Sequence, residues 1–257
     1  MANSVLNRLV GAERDLIALA CDKAASARRR YEACFTAFTD PGQRALLAQY
    51  AYLWDAAMFS FGGYTGAERQ IVAFSPEQDE YQVEYPLVAM QVSGNFSFAQ
   101  VTHRDYLGSL LALGMKREMV GDILVRPEGC QLVLHEKIAS YVLANWQTVG
   151  RVGVKVEEIP LAELRPPQPK IVLRQATVAS FRLDAIVAVA YGLSRTQAAN
   201  YIRGGKLKHN FSLETRCDRT VEVGDMLSLA GQGRAQLQVV GGQSKKGRWH
   251  IEIARFV

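Results

Sequence analysis

Residues 180–210 read SFRLDAIVAVAYGLSRTQAANYIRGGKLKHN. Leu183, Ile186, Val187 and Ala190 recur at helical spacing and make one buried stripe. Ser180 is placed to cap a helix over 181–191, and Gly192 to end it. Ser194 starts a second helix, with Gln197 completing a capping box three residues on. Ala198 and Ile202 face inward, and Gly204-Gly205 closes that helix. Strands are predicted next at 206–210, 226–230, 235–240 and 249–256, with turns at Gly224-Asp225 and Gly231-Gln232-Gly233-Arg234. Two helices leading into a run of strands predict a small α+β domain.

The cations of this stretch are unusually placed. Arg182 and Arg195 each fall in the first turn of their predicted helix. A cation there opposes the helix dipole at a cost of roughly 0.3–1 kcal/mol. A helix N-terminus is an anion site, and an arginine beside it adds bidentate phosphate geometry. Lys206, Lys208 and Asn210 follow, then Arg234, then Lys245, Lys246 and Arg248. The formal charge of the 257 residues is only +5. Divided at the proline-rich stretch Arg165-Pro166-Pro167-Gln168-Pro169, the halves differ. Residues 170–257 hold 14 basic and 6 acidic side chains, a net +8, and residues 1–169 hold 16 and 19, a net −3. A basic module on a near-neutral body points to nucleic acid as partner.

The rest of the composition excludes several classes. With 49% hydrophobic and 21% charged residues the chain is an ordinary globular one, neither disordered, fibrous nor a disulfide scaffold. The four cysteines form no C-x-x-C pair and the four histidines complete no zinc spacing, so no metal and no cofactor are expected. The first eleven residues lack the apolar core of a signal peptide. No apolar run approaches the roughly 18 residues of a membrane span. A cytoplasmic protein without an integral membrane segment is expected.

Upstream, residues 5–60 read as helical, with a break at Asp40-Pro41-Gly42 and a second helix over 44–59. The glycine-rich Phe61-Gly62-Gly63-Tyr64-Thr65-Gly66-Ala67-Glu68-Arg69 lacks phosphate-loop spacing and reads as a turn entering a strand at 71–74. Residues 86–156 alternate strand, helix, strand, strand, helix, strand, with Thr102 and Asp105 capping the first helix. That order is the ferredoxin-like unit. Its third strand, Cys130-Gln131-Leu132-Val133-Leu134, carries no aromatic on which a base would stack. The fold class is therefore α+β. A helical N-terminal part spans 1–75, a ferredoxin-like domain 76–160, a stiff proline-rich linker 161–170 and the basic module 171–257.

At this point the residues carry a resemblance. Arg182-Leu183-Asp184, Leu193-Ser194-Arg195-Thr196-Gln197-Ala198, Ile202-Arg203-Gly204-Gly205-Lys206, Asn210, Gly224-Asp225 and Gly231-Gln232-Gly233-Arg234 resemble the S4-type (alpha-L) RNA-binding module. The resemblance implies one face for structured RNA, with Arg182, Ser194, Arg195, Gln197, Lys206, Lys208 and Asn210 on or near it. Valine is usual before the asparagine, and His209 stands there instead. Together with the glycine-rich segment at 61–69, the motifs Thr102-His103-Arg104-Asp105-Tyr106-Leu107-Gly108-Ser109-Leu110-Leu111, Gly114-Met115-Lys116-Arg117-Glu118 and Gly121-Asp122-Ile123 make the whole chain similar to YlmH-type proteins. Cyanobacterial and plastid members of that family are called photosystem II S4 domain proteins. The resemblance implies binding to rRNA and tRNA on the large ribosomal subunit, in ribosome-associated quality control.

Other motifs yield to simpler readings. Asp184 resembles a pseudouridine-synthase nucleophile, but too little chain follows it for a catalytic domain. His103, Arg104 and Asp105 lack a recognisable partner for acid–base work. Arg104, Lys116 and Arg117 instead form a candidate second RNA contact, and Arg28-Arg29-Arg30 reads as a solvated helix face. Residues 242–248 read as a basic hairpin. A monomeric, non-enzymatic RNA-binding factor of translation is expected, with no catalytic residues. The alternatives are an RNA-modifying enzyme centred on the middle domain and a photosystem II assembly factor.

Overall fold

The computed structural model describes residues 2–77, 83–96, 101–167 and 170–256. Gln168 and Pro169 of the predicted linker lie outside the described residues. The chain divides into two compact units, Met1–Pro167 and Gln168–Val257.

In the first unit, α1 (Ala2–Leu6) precedes α2 (Gly11–Arg30). Ile17, Ala20, Ala24 and Ala27 are spaced three and four apart and are all buried, so α2 docks through one face. Arg28, Arg29 and Arg30 occupy its last turn, where cations complement the helix dipole.

The expected all-helical N-terminal part is a mixed layer instead. Cys34–Thr39 is a strand, β1, rich in the aromatic and β-branched residues that suit a pleated surface. Asp40-Pro41-Gly42 starts a helix rather than separating two. Asp40 caps α3 (Pro41–Gln49) in a reciprocal box with Gln43, and Pro41 takes the first turn. The second predicted helix, over 44–59, ends ten residues early, since α3 stops at Gln49 and a single 3-10 turn, Ala51–Leu53, follows. Ala57–Phe61 is then β2, paired along its length with β3 (Gln70–Ser75). The sheet order is β1-β3-β2, antiparallel throughout. Residues 44–59 carry a helical stripe, but cross-strand partners in β3 outweigh local propensity.

The middle region follows the predicted order. β4 (Leu87–Gly94), α4 (His103–Ala112), β5 (Val120–Arg126), β6 (Gly129–His135), α5 (Glu136–Asn145) and β8 (Val152–Ile159) come in turn, with one added two-residue strand, β7 (Thr148–Val149), before the last. The sheet runs β5-β6-β4-β8-β7 with every pair antiparallel. The first four strands thus take the ferredoxin-like arrangement. One face packs Met90, Val92, Leu132 and Leu134 against Tyr106 and Leu110 of α4 and Val142 of α5. The other face packs Ala89, Leu124 and Val133 against Phe38 of β1 and Ile71 of β3. Every residue of β6 is buried. The face that would stack bases in an RNA-recognition motif is therefore covered by the N-terminal sheet.

In the second unit, six strands run β11-β10-β12-β13-β14-β9, all antiparallel. They are β9 (Ile171–Val178), β10 (Leu207–His209), β11 (Ser212–Leu213), β12 (Met226–Leu229), β13 (Gly233–Gln243) and β14 (Trp249–Phe256). α6 (Leu183–Tyr191) and α7 (Arg195–Arg203) cover one face, burying Leu183, Ile186, Ala198 and Ile202 against Leu227, Leu237 and Ile253. Gly192 ends α6 in the left-handed conformation, φ 66°, as its sequence position predicts.

One expectation fails here, and one strand is unanticipated. Ser180 does not cap α6; Arg182 is the cap residue, and the helix begins at Leu183. The cause is tertiary. Val221 donates its backbone N–H to Phe181, and Arg182 bridges Thr220, so residues 181–182 are extended beside 219–221. Strand β9 was not legible either. It directly follows the proline-rich segment, and its ladder with β14 supplies the reason it forms.

Candidate nucleic-acid interface

Asp184 organises the helical end of the second unit. Its carboxylate, 11% exposed, accepts from Arg182 Nε at 3.3 Å and from Arg195 Nη2 at 3.1 and 3.2 Å. The two arginine side chains stay 43% and 58% exposed. Burial pushes the Asp184 carboxyl up, but the hydrogen bonds from Arg182 and Arg195 outweigh it and hold it below the ordinary aspartate value. One carboxylate thus holds two guanidiniums side by side, leaving one net positive charge and several N–H donors toward solvent.

This geometry revises the electrostatic reading of the sequence. Arg182 precedes α6 rather than lying in its first turn, and both arginines meet a carboxylate. The N-terminus of α6 is also not an open anion site. Leu183 and Asp184 donate their backbone N–H groups to the carbonyls of Arg219 and Cys217, at 2.8 and 3.2 Å. Cations remain, while the helix-end amides are already satisfied.

The other predicted contacts sort by their bonds. Ser194 and Gln197 make the expected capping box of α7, each bonding the other's backbone N–H. Asn210 is equally committed. Its amide donates to Asp225 Oδ1 at 2.7 Å and accepts from the Met226 N–H at 2.8 Å. His209 Nε2 lies 2.7 Å from the other Asp225 oxygen. These side chains shape the face, and cations beside them are more exposed. Lys206 lies 5.6 Å from the Tyr201 ring centre. Lys208 is exposed on β10, opposite Ser228, and Arg234 is opposite Ser228 from the far side. Lys206, Lys208 and Arg234 line one open concavity.

The structure does not bring the hairpin cations to that place. The β13–β14 ladder has Arg234 paired with Phe256 at one end and Gln243 with Trp249 at the other. Nine residues of strand separate those ends by about 30 Å. Lys245 and Lys246 are exposed at the turn, whereas Arg248 donates to the Thr177 carbonyl at 2.6 Å and so braces β9.

Two exposed cations escaped the sequence reading. Arg216 and Arg219 lie in the segment that packs beside the start of α6, and they line a second concavity with His209, Asn210 and Asp225. Their surroundings, Glu214-Thr215-Arg216-Cys217-Asp218-Arg219, alternate in charge and carry no periodic signal.

In the first unit, Arg104 is exposed on α4 and shares a concavity with Ser109, Asn145, Trp146 and Thr148. Lys116 is also exposed. Arg117 is not available as a surface contact. It turns inward and donates to the carbonyls of Val120, at 2.5 Å, and Gly121. Burial, with Arg69 nearby, lowers its pKa to about 10. Asp105 caps α4 through the Thr102 N–H and hydroxyl, at 2.8 and 2.7 Å, as expected. Among the described residues no group of three His, Cys, Asp or Glu could hold a metal ion.

The glycine-rich segment at 61–69 is a clasp. Asp122 accepts from the backbone N–H groups of Glu68 and Arg69 at 2.7 and 3.0 Å, and from the Tyr64 hydroxyl at 2.7 Å. A protein carboxylate occupies the place a bound phosphate would need. Burial and the Asp122 hydrogen bond raise the Tyr64 phenol far above its usual pKa. Arg69 adds bonds to the carbonyls of Val120 and Phe38.

Comparison with known proteins bears on both units. A family described as the putative RNA-binding domain in YlmH matches residues 76–163. The chain is 31% identical over 244 residues to ribosome-associated protein quality control protein P2 of Bacillus subtilis (strain 168), covering 95% of each. A solved structure of the cell division protein YlmH from Streptococcus pneumoniae is 23% identical, with a TM-score of 0.49 over 60% of this chain and 95% of that one.

Proposed function

The chain belongs to the YlmH-type RNA-binding proteins, and from that premise we propose that it docks on structured rRNA or tRNA of the large ribosomal subunit during ribosome-associated quality control. The observation that carries this reading is the Arg182–Asp184–Arg195 cluster, which holds two exposed guanidiniums at fixed spacing on a unit of net charge +8. Guanidiniums already positioned by a carboxylate lose less freedom when they meet phosphate oxygens. In this reading residues 171–257 are an S4-type module. Lys206, Lys208 and Arg234 continue its phosphate contacts, and Lys245 and Lys246 make a separate one. The protein works by docking, as a cytoplasmic monomer without cofactor, rather than by catalysis.

The family match over 76–163 supports a further contact from the middle domain. Its sheet is covered on both faces, so Arg104 and Lys116, outside the sheet, are the residues assigned to it. The test of the main reading is co-sedimentation with purified large subunits. Arg182→Gln combined with Arg195→Gln, which keeps amide donors for Asp184, should abolish it while circular dichroism stays native. Retained co-sedimentation of that folded variant at moderate salt would reject the cluster as the docking face.

A further inference from the structure

We propose that Phe211 is a base-stacking residue, presented at the tip of a strained turn to an unpaired nucleobase of the bound RNA; the proposal rests on the docking reading above. β10 and β11 pair through His209 and Ser212, so Asn210 and Phe211 alone make the turn. Both have positive φ, 47° and 69°. A two-residue hairpin with both central residues left-handed is the type in which Asn-Gly is favoured, because glycine adopts that conformation without penalty. Asn210 conforms, but a phenylalanine occupies the glycine position. A bulky side chain there is a true outlier, and such strain persists only where neighbouring bonds impose it.

Those bonds are present. Asn210 exchanges hydrogen bonds with Met226 through both its backbone and its side chain, and His209 and Asn210 share the Asp225 carboxylate. The turn is rigid, and its aromatic residue is held where it stands. Phe211 is half-buried and stands outside the hydrophobic cluster that fills this unit. Its surroundings match a nucleic acid. One concavity beside the hairpin offers Lys206, Lys208 and Arg234, while the other sets Arg216 and Arg219 among Asp218, Glu222 and Asp225. An aromatic residue next to a group of cations is an arrangement that takes a base on its ring and a phosphate beside it. An RNA loop or bulge supplies such a base, whereas a continuous duplex does not.

The test uses the full chain and a fluorescein-labelled RNA hairpin with an unpaired loop, compared with its fully paired duplex at constant salt. Phe211→Gly should weaken hairpin binding about tenfold, leave duplex binding unchanged, and leave the melting temperature equal to or above that of the wild type. Phe211→Trp should retain hairpin binding. Unchanged hairpin affinity in Phe211→Gly overturns the proposal, as does equal weakening on both RNAs or a lowered melting temperature, which would mark a structural residue. Arg182→Gln with Arg195→Gln, measured on the same probes, separates the two readings. If it weakens binding while Phe211→Gly does not, the docking face stands and the stacking proposal falls. If it has no effect, the docking face itself is wrong.

Discussion

Asp184 shows how one residue changes meaning between sequence and structure. In sequence it follows Arg182 by two positions and resembles a catalytic aspartate; in the fold it is the counter-ion of two arginines from separate elements. Asp225 plays a similar part beneath the β10–β11 turn. Burial raises its carboxyl, but the Glu222 amide, Asn210 and His209 bring it below its ordinary value. Both groups therefore have folded pKa values depressed below the roughly 3.9 of an unfolded aspartate. Between the two values the unfolded chain binds more protons, so stability from these groups is complete above about pH 4 and is lost as pH falls through the folded values. Acid unfolding of the second unit, followed by intrinsic fluorescence, should be less steep in Asp184→Asn than in the wild type. Superimposable acid limbs would show that the Asp184 cluster contributes no pH-dependent stability.

Element by element, the motifs that look most like chemistry serve as joints. The segment at 61–69 and the Gly121-Asp122-Ile123 motif lie far apart in sequence, yet they meet as loop and strand, with Asp122 bonded to two amides and a phenol. Arg69 and Arg117 add donors to the Val120 carbonyl at the same place. Asp122→Ala would leave two amides and a partly buried hydroxyl without their acceptor. The expected cost is about 3 kcal/mol, measured by urea unfolding of the full chain. RNA affinity of the folded fraction should not change. A loss under about 0.5 kcal/mol would show that water replaces the carboxylate without penalty. Local patterns read the capped helices α4 and α7 well where a cap and an apolar stripe agree. They failed at β1 and β2, because residues 34–39 and 57–61 are stabilised by pairing with β3.

For the whole molecule, the charge difference is the feature that carries over most directly into behaviour. A docking face built from arginine and lysine releases counterions, so binding should weaken linearly in log–log salt plots. Removing Arg195 by Arg195→Ala should reduce the magnitude of that slope by about 1, and Arg248→Ala, which removes a brace to β9, should not. Equal slopes for wild type and Arg195→Ala would mean that Arg195 touches no phosphate. The α+β class, the ferredoxin-like order, the two helices of the basic module and the concentration of cations in residues 170–257 were all decided by local spacing and composition. Each depends on neighbours within a few residues, where caps, glycines and apolar periodicity act. Tertiary structure alone decided that the middle sheet is covered on both faces, that Arg117 turns inward, that Arg216 and Arg219 come beside Asn210 and Asp225, and that Asp184 holds Arg182 beside Arg195. Those outcomes depend on contacts between segments distant in sequence, whose free energy no local pattern records.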